Sequence, residues 1–251
     1  MEKMIYALLS VKKESDRLDS MLIGMQGISG ANLYSLQVDE ITAVVSDTTR
    51  AGLITDSTNA IAFAGVIEAL SQEFTLLPMR FGSLMESTGA ILKMLERNYP
   101  DVQQNLQQVE GAFEFGLKVF CDSEKLRADL MEKSEIGTKT TVLSTPEVKN
   151  SVYRDWVNKK LKEHRLEELL LTHVDSVVAA ITEHLFRMNA VCKFKKMLTE
   201  TTIIDALFLL KKDMKTELMQ AVGNLQKQYP GLNFVMTGPW PPYNFVEITI
   251  K

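Results

Sequence analysis

The histidines are the first residues to test for chemistry, because an imidazole serves as a general base or a metal ligand near neutral pH. His164, His173 and His184 follow one another at intervals of nine and eleven residues. Two imidazoles on a helix hold one metal ion when they are four residues apart, and these intervals do not provide that spacing. We interpret all three as surface or helix-packing residues and predict no metal site.

The motifs that bind phosphate or activate a nucleophile come next. Gly24, Gly27 and Gly30 follow a helical pattern as GxxGxxG, whereas a dinucleotide loop has GxGxxG between a strand and a helix. The sequence contains neither the P-loop pattern GxxxxGKS/T nor the hydrolase pattern GxSxG. The paired carboxylates Glu167 and Glu168 stand among basic residues, as on a solvated helix face. We therefore predict no catalytic residue, no cofactor and no enzymatic activity.

The composition excludes several classes of protein. The 251 residues are 45% hydrophobic and 24% charged, which is typical of a folded globular chain. A net charge of −4 gives no field that attracts nucleic acid, and the run FEFGLKVF lacks the basic residue and glycine that begin an RNA-binding RNP1 motif. Cys121 and Cys192 are isolated and predict buried thiols. With no signal peptide or membrane span evident, we expect a cytoplasmic protein and no lipid partner.

One short segment places a cation beside an aromatic residue at a strand-to-helix junction. Leu77 to Gly82 ends a buried-type strand with Arg80, Phe81 and Gly82. The Arg80 guanidinium offers a fixed fork for a carboxylate or for carbonyl groups. The alternative, which we favour at this stage, is that Arg80 pairs inside the fold while Gly82 supplies a special backbone angle.

A second segment is rigid and aromatic. Three prolines between Thr237 and Tyr243 fix the backbone φ angle and remove N–H donors, while two aromatic side chains offer a large amphipathic contact area. The candidate residues are Gly238, Pro239, Trp240, Pro241, Pro242 and Tyr243. This segment is either a docking surface or an ordered lid over the C-terminal sheet, and both interpretations stay open.

Hydrophobic periodicity predicts the strands and helices that carry these two segments. Strands are predicted at 4–11, 32–37, 40–46 and 74–79, with helices at 13–25 and 58–71, in the order βαββαβ. A further helix is predicted to break at Asn98-Tyr99-Pro100, because proline lacks an N–H and disfavours helix in the residue before it. We place the domain boundary at that break, so that residues 1–100 form an N-terminal α+β domain.

Residues 101–251 are predicted to repeat the plan. Strands at 112–121, 192–198, 202–210 and 232–237 surround a long amphipathic helix at about 146–189 and a second helix at 212–228, with an extra strand at 245–250. Ser144 to Glu147 are predicted to begin the long helix. The expected fold is α+β, with two domains near the ferredoxin-like plan and the long helix in a modified C-terminal domain.

Taken together, the two short segments give the chain an end-to-end resemblance to the gas vesicle protein GvpF/GvpL family, closer to GvpF. The family pattern has an aromatic-containing first strand, an AvvS-like strand, a PlRFG element and a GPwPPYsFv element. The matching residues here are Ile5 to Ala7, Ala43 to Ser46, Pro78 to Gly82 and Gly238 to Val246. Two departures stand out: Asn244 replaces the usual serine, and Ala62 to Gly65 lacks a histidine often found there.

The resemblance implies a non-enzymatic accessory or minor structural protein of gas vesicle assembly, cytoplasmic and associated with gas vesicles. Its expected partner is the shell protein GvpA, which it would keep from aggregating or help to nucleate, with other accessory proteins as further partners. An apolar segment of the shell protein would dock on a sheet edge, by strand addition, or in a groove beside the long helix, and we expect Trp240 and Tyr243 to contribute to the contact. Two alternatives remain: a small-molecule anion-binding protein or enzyme that uses Arg80, and a nucleic-acid-binding module on the C-terminal sheet.

Overall fold

The computed structural model describes residues 1–11, 15–49, 57–137, 151–196 and 201–247. Within these ranges the chain is a mixed α+β protein with two antiparallel sheets, as the sequence predicts. The strands are β1 (Glu2–Ser10), β2 (Leu33–Val38), β3 (Ile41–Thr48), β4 (Leu76–Pro78), β5 (Leu84–Met85), β6 (Ala112–Cys121), β7 (Val191–Lys196), β8 (Thr202–Lys211) and β9 (Leu232–Trp240). The helices are α1 (Ser15–Ile23), α2 (Ser57–Glu73), α3 (Thr88–Gln108), α4 (Ser123–Gly137), α5 (Ser151–Phe186) and α6 (Lys215–Gln228).

The first sheet has the strand order β2-β3-β1-β4, and β5 also pairs with β1. The predicted hairpin is confirmed: β2 and β3 pair antiparallel, with Val38 opposite Ile41. The two residues between them form the turn, and Asp39 adopts a positive φ of 50°, which aspartate tolerates better than most residues.

Helices cover both faces of this sheet. Met4 to Leu9 of β1 and Ile41 to Ser46 of β3 are buried without interruption, and successive side chains in a strand point to opposite faces. The helices α1 and α2 share one hydrophobic cluster with Leu33 and Val44. The helix α3 contacts β1, β2 and β3 but lies outside that cluster, so it covers the opposite face.

The predicted helix break at Asn98-Tyr99-Pro100 is wrong. The helix α3 continues through Pro100 to Gln108. Its buried residues are Ile91, Met94, Leu95, Asn98, Val102 and Leu106, so the buried stripe continues beyond the proline. Packing of this stripe offsets the roughly 3 kcal/mol that an internal proline costs a helix.

The second sheet has the strand order β7-β8-β6-β9. The long helix α5 spans Ser151–Phe186, against the predicted 146–189, and the expected start at Ser144 to Glu147 lies outside the described residues. Of the extra strand predicted at 245–250, residues 245–247 are not in a strand and the rest lie outside the described residues. The strand β9 extends beyond the predicted end, through Gly238 to Trp240.

Contacts group the chain into two compact units that differ from the predicted ranges 1–100 and 101–251. The first unit comprises residues 1–115, 209–213 and 238–251, and the second comprises residues 116–208 and 214–237. The division falls inside β6, β8 and β9, and it assigns the aromatic segment at Gly238 to Tyr243 to the first unit. The comparison of each sheet with a ferredoxin-like plan stays a prediction.

One helix segment, Lys159–Phe186 within α5, is long and apolar enough to cross a membrane by length and composition. The sequence pattern predicts no membrane span, so this property differs from the expectation. Among the side chains of α5 that the structure describes, the buried ones are Leu170, Val174, Val177, Ile181 and Leu185, which recur every three or four residues. A helix that packs along one face in this way passes the same test of length and composition, so the property is weak support for a membrane span.

Candidate docking site

The aromatic segment begins as the end of a strand rather than as a loop. Gly238 has a φ of 102°, and its peptide bond to Pro239 is cis. A Cβ atom placed on Gly238 would lie 2.7 Å from the backbone oxygen of Glu114, which is too close for any other residue. Because β9 is an edge strand, Pro239 is tolerated there without an N–H donor. Only glycine therefore fits where this segment crosses β6.

A buried carboxylate holds the other end of the same segment. Glu114 in β6 is 4% exposed. Its Oε2 accepts a hydrogen bond of 2.8 Å from the backbone N–H of Asn244, and its Oε1 accepts one of 2.6 Å from the Asn244 side-chain amide. Both carboxylate oxygens thus have a donor, as a buried charge requires. We call this pair the Glu114–Asn244 clamp.

Between Gly238 and the clamp, the side chains divide into buried and exposed groups. Pro241 and Pro242 are buried, whereas the side chain of Trp240 is 47% exposed and that of Tyr243 is 41% exposed. Burial is the first cause that raises the pKa of the Tyr243 hydroxyl, followed by the negative charges of Glu68 and Glu114. The segment therefore presents two aromatic side chains from a backbone fixed at both ends.

In the other candidate segment, Arg80 to Gly82, the aromatic side chain packs inward and the charged side chain is exposed. Phe81 packs against the core, with its ring centre 5.3 Å from that of Phe63 in an edge-to-face contact. Gly82 has a φ of 89°, so the predicted special backbone angle is confirmed. Arg80 is exposed and has no side-chain partner among the described residues. The interpretation that Arg80 pairs inside the fold is therefore wrong, because the turn directs its side chain to solvent.

A cavity of about 200 Å³ lies in the first unit, and it does not contain Arg80. Its lining includes Phe113, Lys212 and Pro242. The Lys212 Nζ donates a hydrogen bond of 3.1 Å to the Gln72 side-chain oxygen and lies 5.2 Å from the centre of the Phe113 ring. The last residues of α2 line the same cavity, where a cation such as Lys212 stabilises the partial negative charge of a helix C-terminus.

The histidines occupy separate environments on α5. His164 Nδ1 lies 3.5 Å from Glu168 Oε1 on the exposed helix surface. The ring centre of His173 lies 6.1 Å from that of Tyr229. In the part of the chain that the structure describes, no three side chains of the metal-ligating types come together.

Sequence reasoning missed Glu114 and assigned no role to Asn244 beyond a departure from the family pattern. Alternation in FEFGLKVF places Glu114 on the face opposite Phe113 and Phe115, where a half-buried strand exposes its polar residues. The two clamp residues are 130 positions apart in the sequence. The only signal was the glycine at 116 on the same face as Glu114, since a glycine in a strand marks close backbone approach.

The fold is that of an α+β protein with two antiparallel sheets, which presents two exposed aromatic side chains from an anchored segment. The model of the family "Gas vesicle synthesis protein GvpL/GvpF" matches residues 3–247, so the chain belongs to this family and has a role in gas vesicle formation.

Individual relatives agree with this assignment over nearly their whole length. The chain is 22% identical to gas vesicle protein F1 of Halobacterium salinarum, with 100% of this chain and 96% of the relative covered. The crystal structure of GvpF from Anabaena matches with a TM-score of 0.80 at 19% identity, covering 99% of each chain. That of GvpF from Microcystis aeruginosa matches with a TM-score of 0.75 at 16% identity, covering 98% of this chain and 99% of the other. These two structures share the fold described above.

Proposed function

We propose that this protein binds the gas vesicle shell protein GvpA through Trp240 and Tyr243. Binding keeps the shell protein from aggregating before polymerisation or assists nucleation of the shell. Other gas vesicle proteins are further partners, and the complex forms in the cytoplasm at the growing vesicle. The proposed role is non-enzymatic and requires no cofactor.

The anchored exposure of the two aromatic side chains is the observation that supports this proposal. Trp240 and Tyr243 are exposed by 47% and 41%, while Pro241 and Pro242 between them are buried and Asn244 is held by the clamp. Aromatic side chains contribute most to binding when they lose little conformational freedom on association. The Glu114–Asn244 clamp and the close contact at Gly238 fix the backbone that carries both side chains before a partner arrives.

The shell protein of a gas-filled vesicle needs a binding partner that covers its apolar surface before assembly. A subunit whose wall faces gas exposes apolar surface, and apolar patches of this kind aggregate unless they are covered. An aromatic surface with polar handles, such as the Trp240 indole N–H and the Tyr243 hydroxyl, contacts apolar groups while it remains soluble in the free state.

Co-expression with GvpA tests the proposal. The chain carries an affinity tag, and we measure how much shell protein is captured and how much remains soluble with and without the chain. Saturable capture together with an increase in soluble shell protein is the expected result. If the shell protein neither co-purifies nor changes in solubility between low and high salt, the proposed binding is wrong.

A further inference from the structure

The lateral edges of the two sheets differ in how they are protected against pairing with another strand. Proteins block exposed edges with short strands, prolines or lysines. At one edge of the first sheet, β4 and β5 have three and two residues, and β4 ends at Pro78. In the second sheet, β9 carries Pro239 and β7 carries Lys193, Lys195 and Lys196. Three of the four edges therefore carry a known protective feature.

The fourth edge, β2, has none of these features. Its six residues, Leu33–Val38, include no proline and no charged side chain. They pair with β3 on one side only, in a continuous register. The turn after α1 covers the start of this edge, where Gln26 pairs with Asn32 directly before β2. Beyond that pairing, no hydrogen bond among the described residues joins the backbone of 34–38 to a segment other than β3. Alternate N–H and C=O groups of β2 therefore point away from the sheet, ready to pair with a further strand.

The side chains of β2 specify which strand would fit. Tyr34, Leu36 and Val38 are half-buried and lie on the sheet face that α3 covers. The opposite face is more polar at this edge, because Ser35 is half-buried and Gln37 is exposed. An added strand continues this alternation, with apolar side chains beside α3 and polar side chains beside α1.

The charges beside β2 favour an added strand that carries a basic residue. The Ser35 hydroxyl donates a hydrogen bond of 2.8 Å to the exposed Asp19 carboxylate of α1. The turn that follows β2 adds exposed Asp39 and Glu40. At the other end of the strand, Lys3 pairs with Asp47. Among the described side chains, the charges beside Ser35 and the turn are thus acidic, and a lysine or arginine opposite Ser35 complements them.

The same charges disfavour a second copy of this chain as the occupant. Antiparallel pairing of two β2 strands about their middle brings the two Ser35 residues, and with them the two Asp19 carboxylates, close to the symmetry axis. Like charges across such an interface oppose association. A different protein segment, with a cation at this position, avoids that repulsion.

We propose that the outer edge of β2 binds an extended strand of another protein, which alternates apolar and polar side chains and carries a lysine or arginine opposite Ser35. This surface is separate from Trp240 and Tyr243, and the inference goes beyond the proposed binding of GvpA. Main-chain hydrogen bonds supply the affinity, and the alternating side chains supply the specificity.

Amide hydrogen exchange with synthetic peptides tests this directly and independently of the shell protein. The probe is a ten-residue peptide that alternates valine and threonine, with one threonine near its centre replaced by lysine. The control peptides have glutamate at the lysine position, or proline at two central positions. At ten times its dissociation constant, the lysine peptide is expected to slow exchange across Leu33–Val38 by about tenfold. The glutamate peptide should slow exchange less, and the proline peptide should leave it unchanged.

Two variants on β2 and one matched control locate the effect. Leu36→Lys and Gln37→Lys place a charge on the β2 edge, and both are expected to abolish protection by the lysine peptide. Gln37 is exposed, so its replacement leaves folding intact even if Leu36→Lys does not. The control is Val191→Lys, on an edge that already carries lysines and where Val191 is 47% exposed. This control should bind as the unmodified chain does.

Three results would overturn the inference. The first is no protection of Leu33–Val38 by any peptide at millimolar concentration. The second is equal protection of Val191–Lys196, which would mean that the β2 edge has no preference. The third is protection of β2 that rises with the concentration of the protein alone, because a second copy would then be the occupant.

Discussion

The segments Arg80–Gly82 and Gly238–Asn244 both place aromatic residues beside a glycine of positive φ, yet they present opposite groups to solvent. In the first, Phe81 packs on Phe63 and the cation Arg80 is exposed. In the second, the Glu114 carboxylate that anchors the segment is buried, and the aromatic side chains are exposed. Two segments with a residue composition typical of binding surfaces therefore adopt different structures. The segment at Arg80–Gly82 directs its aromatic residue into the core, and the segment at Gly238–Asn244 exposes its aromatic residues.

The difference lies in what holds each segment. The first is held by an apolar contact, so its aromatic side chain stabilises the fold. The second is held by a polar clamp and a close backbone contact at Gly238, which leaves Trp240 and Tyr243 available to a partner. Substitutions that remove one anchor at a time test this contrast, and we order them from the largest expected loss of stability to the smallest.

The close contact at Gly238 should be the most sensitive point. Gly238→Ala places a Cβ 2.7 Å from the Glu114 oxygen at a φ of 102°, so we expect the free energy of unfolding to fall by about 3 kcal/mol or more. Gly82→Ala, at a φ of 89°, should cost about 1 kcal/mol, the usual penalty for a left-handed conformation. Urea denaturation measures both. Equal losses would show that Gly238 is not closely packed in solution.

The Glu114–Asn244 clamp should have the next largest effect. Asn244→Asp replaces an amide donor with a second carboxylate beside Glu114, and we expect a loss of about 2 kcal/mol at neutral pH. The double substitution Glu114→Gln with Asn244→Asp restores a donor and an acceptor, so it should recover most of the loss. Glu110→Gln, an exposed neighbour, is the control and should leave stability unchanged. A double variant no more stable than Asn244→Asp alone would contradict the clamp.

The first segment should respond through its aromatic residue and not through its cation. Phe81→Ala removes the edge-to-face contact with Phe63 and part of a hydrophobic surface, so we expect a loss of about 1–2 kcal/mol. Arg80→Ala should change the free energy of unfolding by less than about 0.5 kcal/mol, because the side chain is exposed. A large loss for Arg80→Ala would restore the interpretation that Arg80 pairs inside the fold.

Local patterns predict much of this fold. Alternation and β-branched residues identify β3 and its hairpin with β2, and helical periodicity identifies α2 and most of α5. The continuation of α3 through Pro100 could not be predicted from the local rule, because the buried stripe on both sides of the proline outweighs its cost. The exposure of Arg80 was also inaccessible, since it depends on the direction of one turn.

The candidate site was predicted only in part. Proline and aromatic content identify the segment at Gly238 to Tyr243, but not what anchors it. The buried Glu114 carboxylate is hydrogen-bonded by Asn244, which lies 130 residues away in the sequence. A charged residue at an alternating strand position is normally solvated, and only the tertiary fold shows that another segment covers it.

Affinity for the shell protein GvpA is the most direct test of the docking site. We compare the unmodified chain with the double variant Trp240→Ala and Tyr243→Ala, and with the control Phe186→Ala, an aromatic side chain that is 82% exposed on α5. The control should unfold within about 0.5 kcal/mol of the unmodified chain, and the double variant, whose two side chains are about half buried, should lose about 1–3 kcal/mol and remain folded. The double variant should bind at least about tenfold more weakly, whereas the control should bind normally. Unchanged affinity of the folded double variant would remove this surface from the interface.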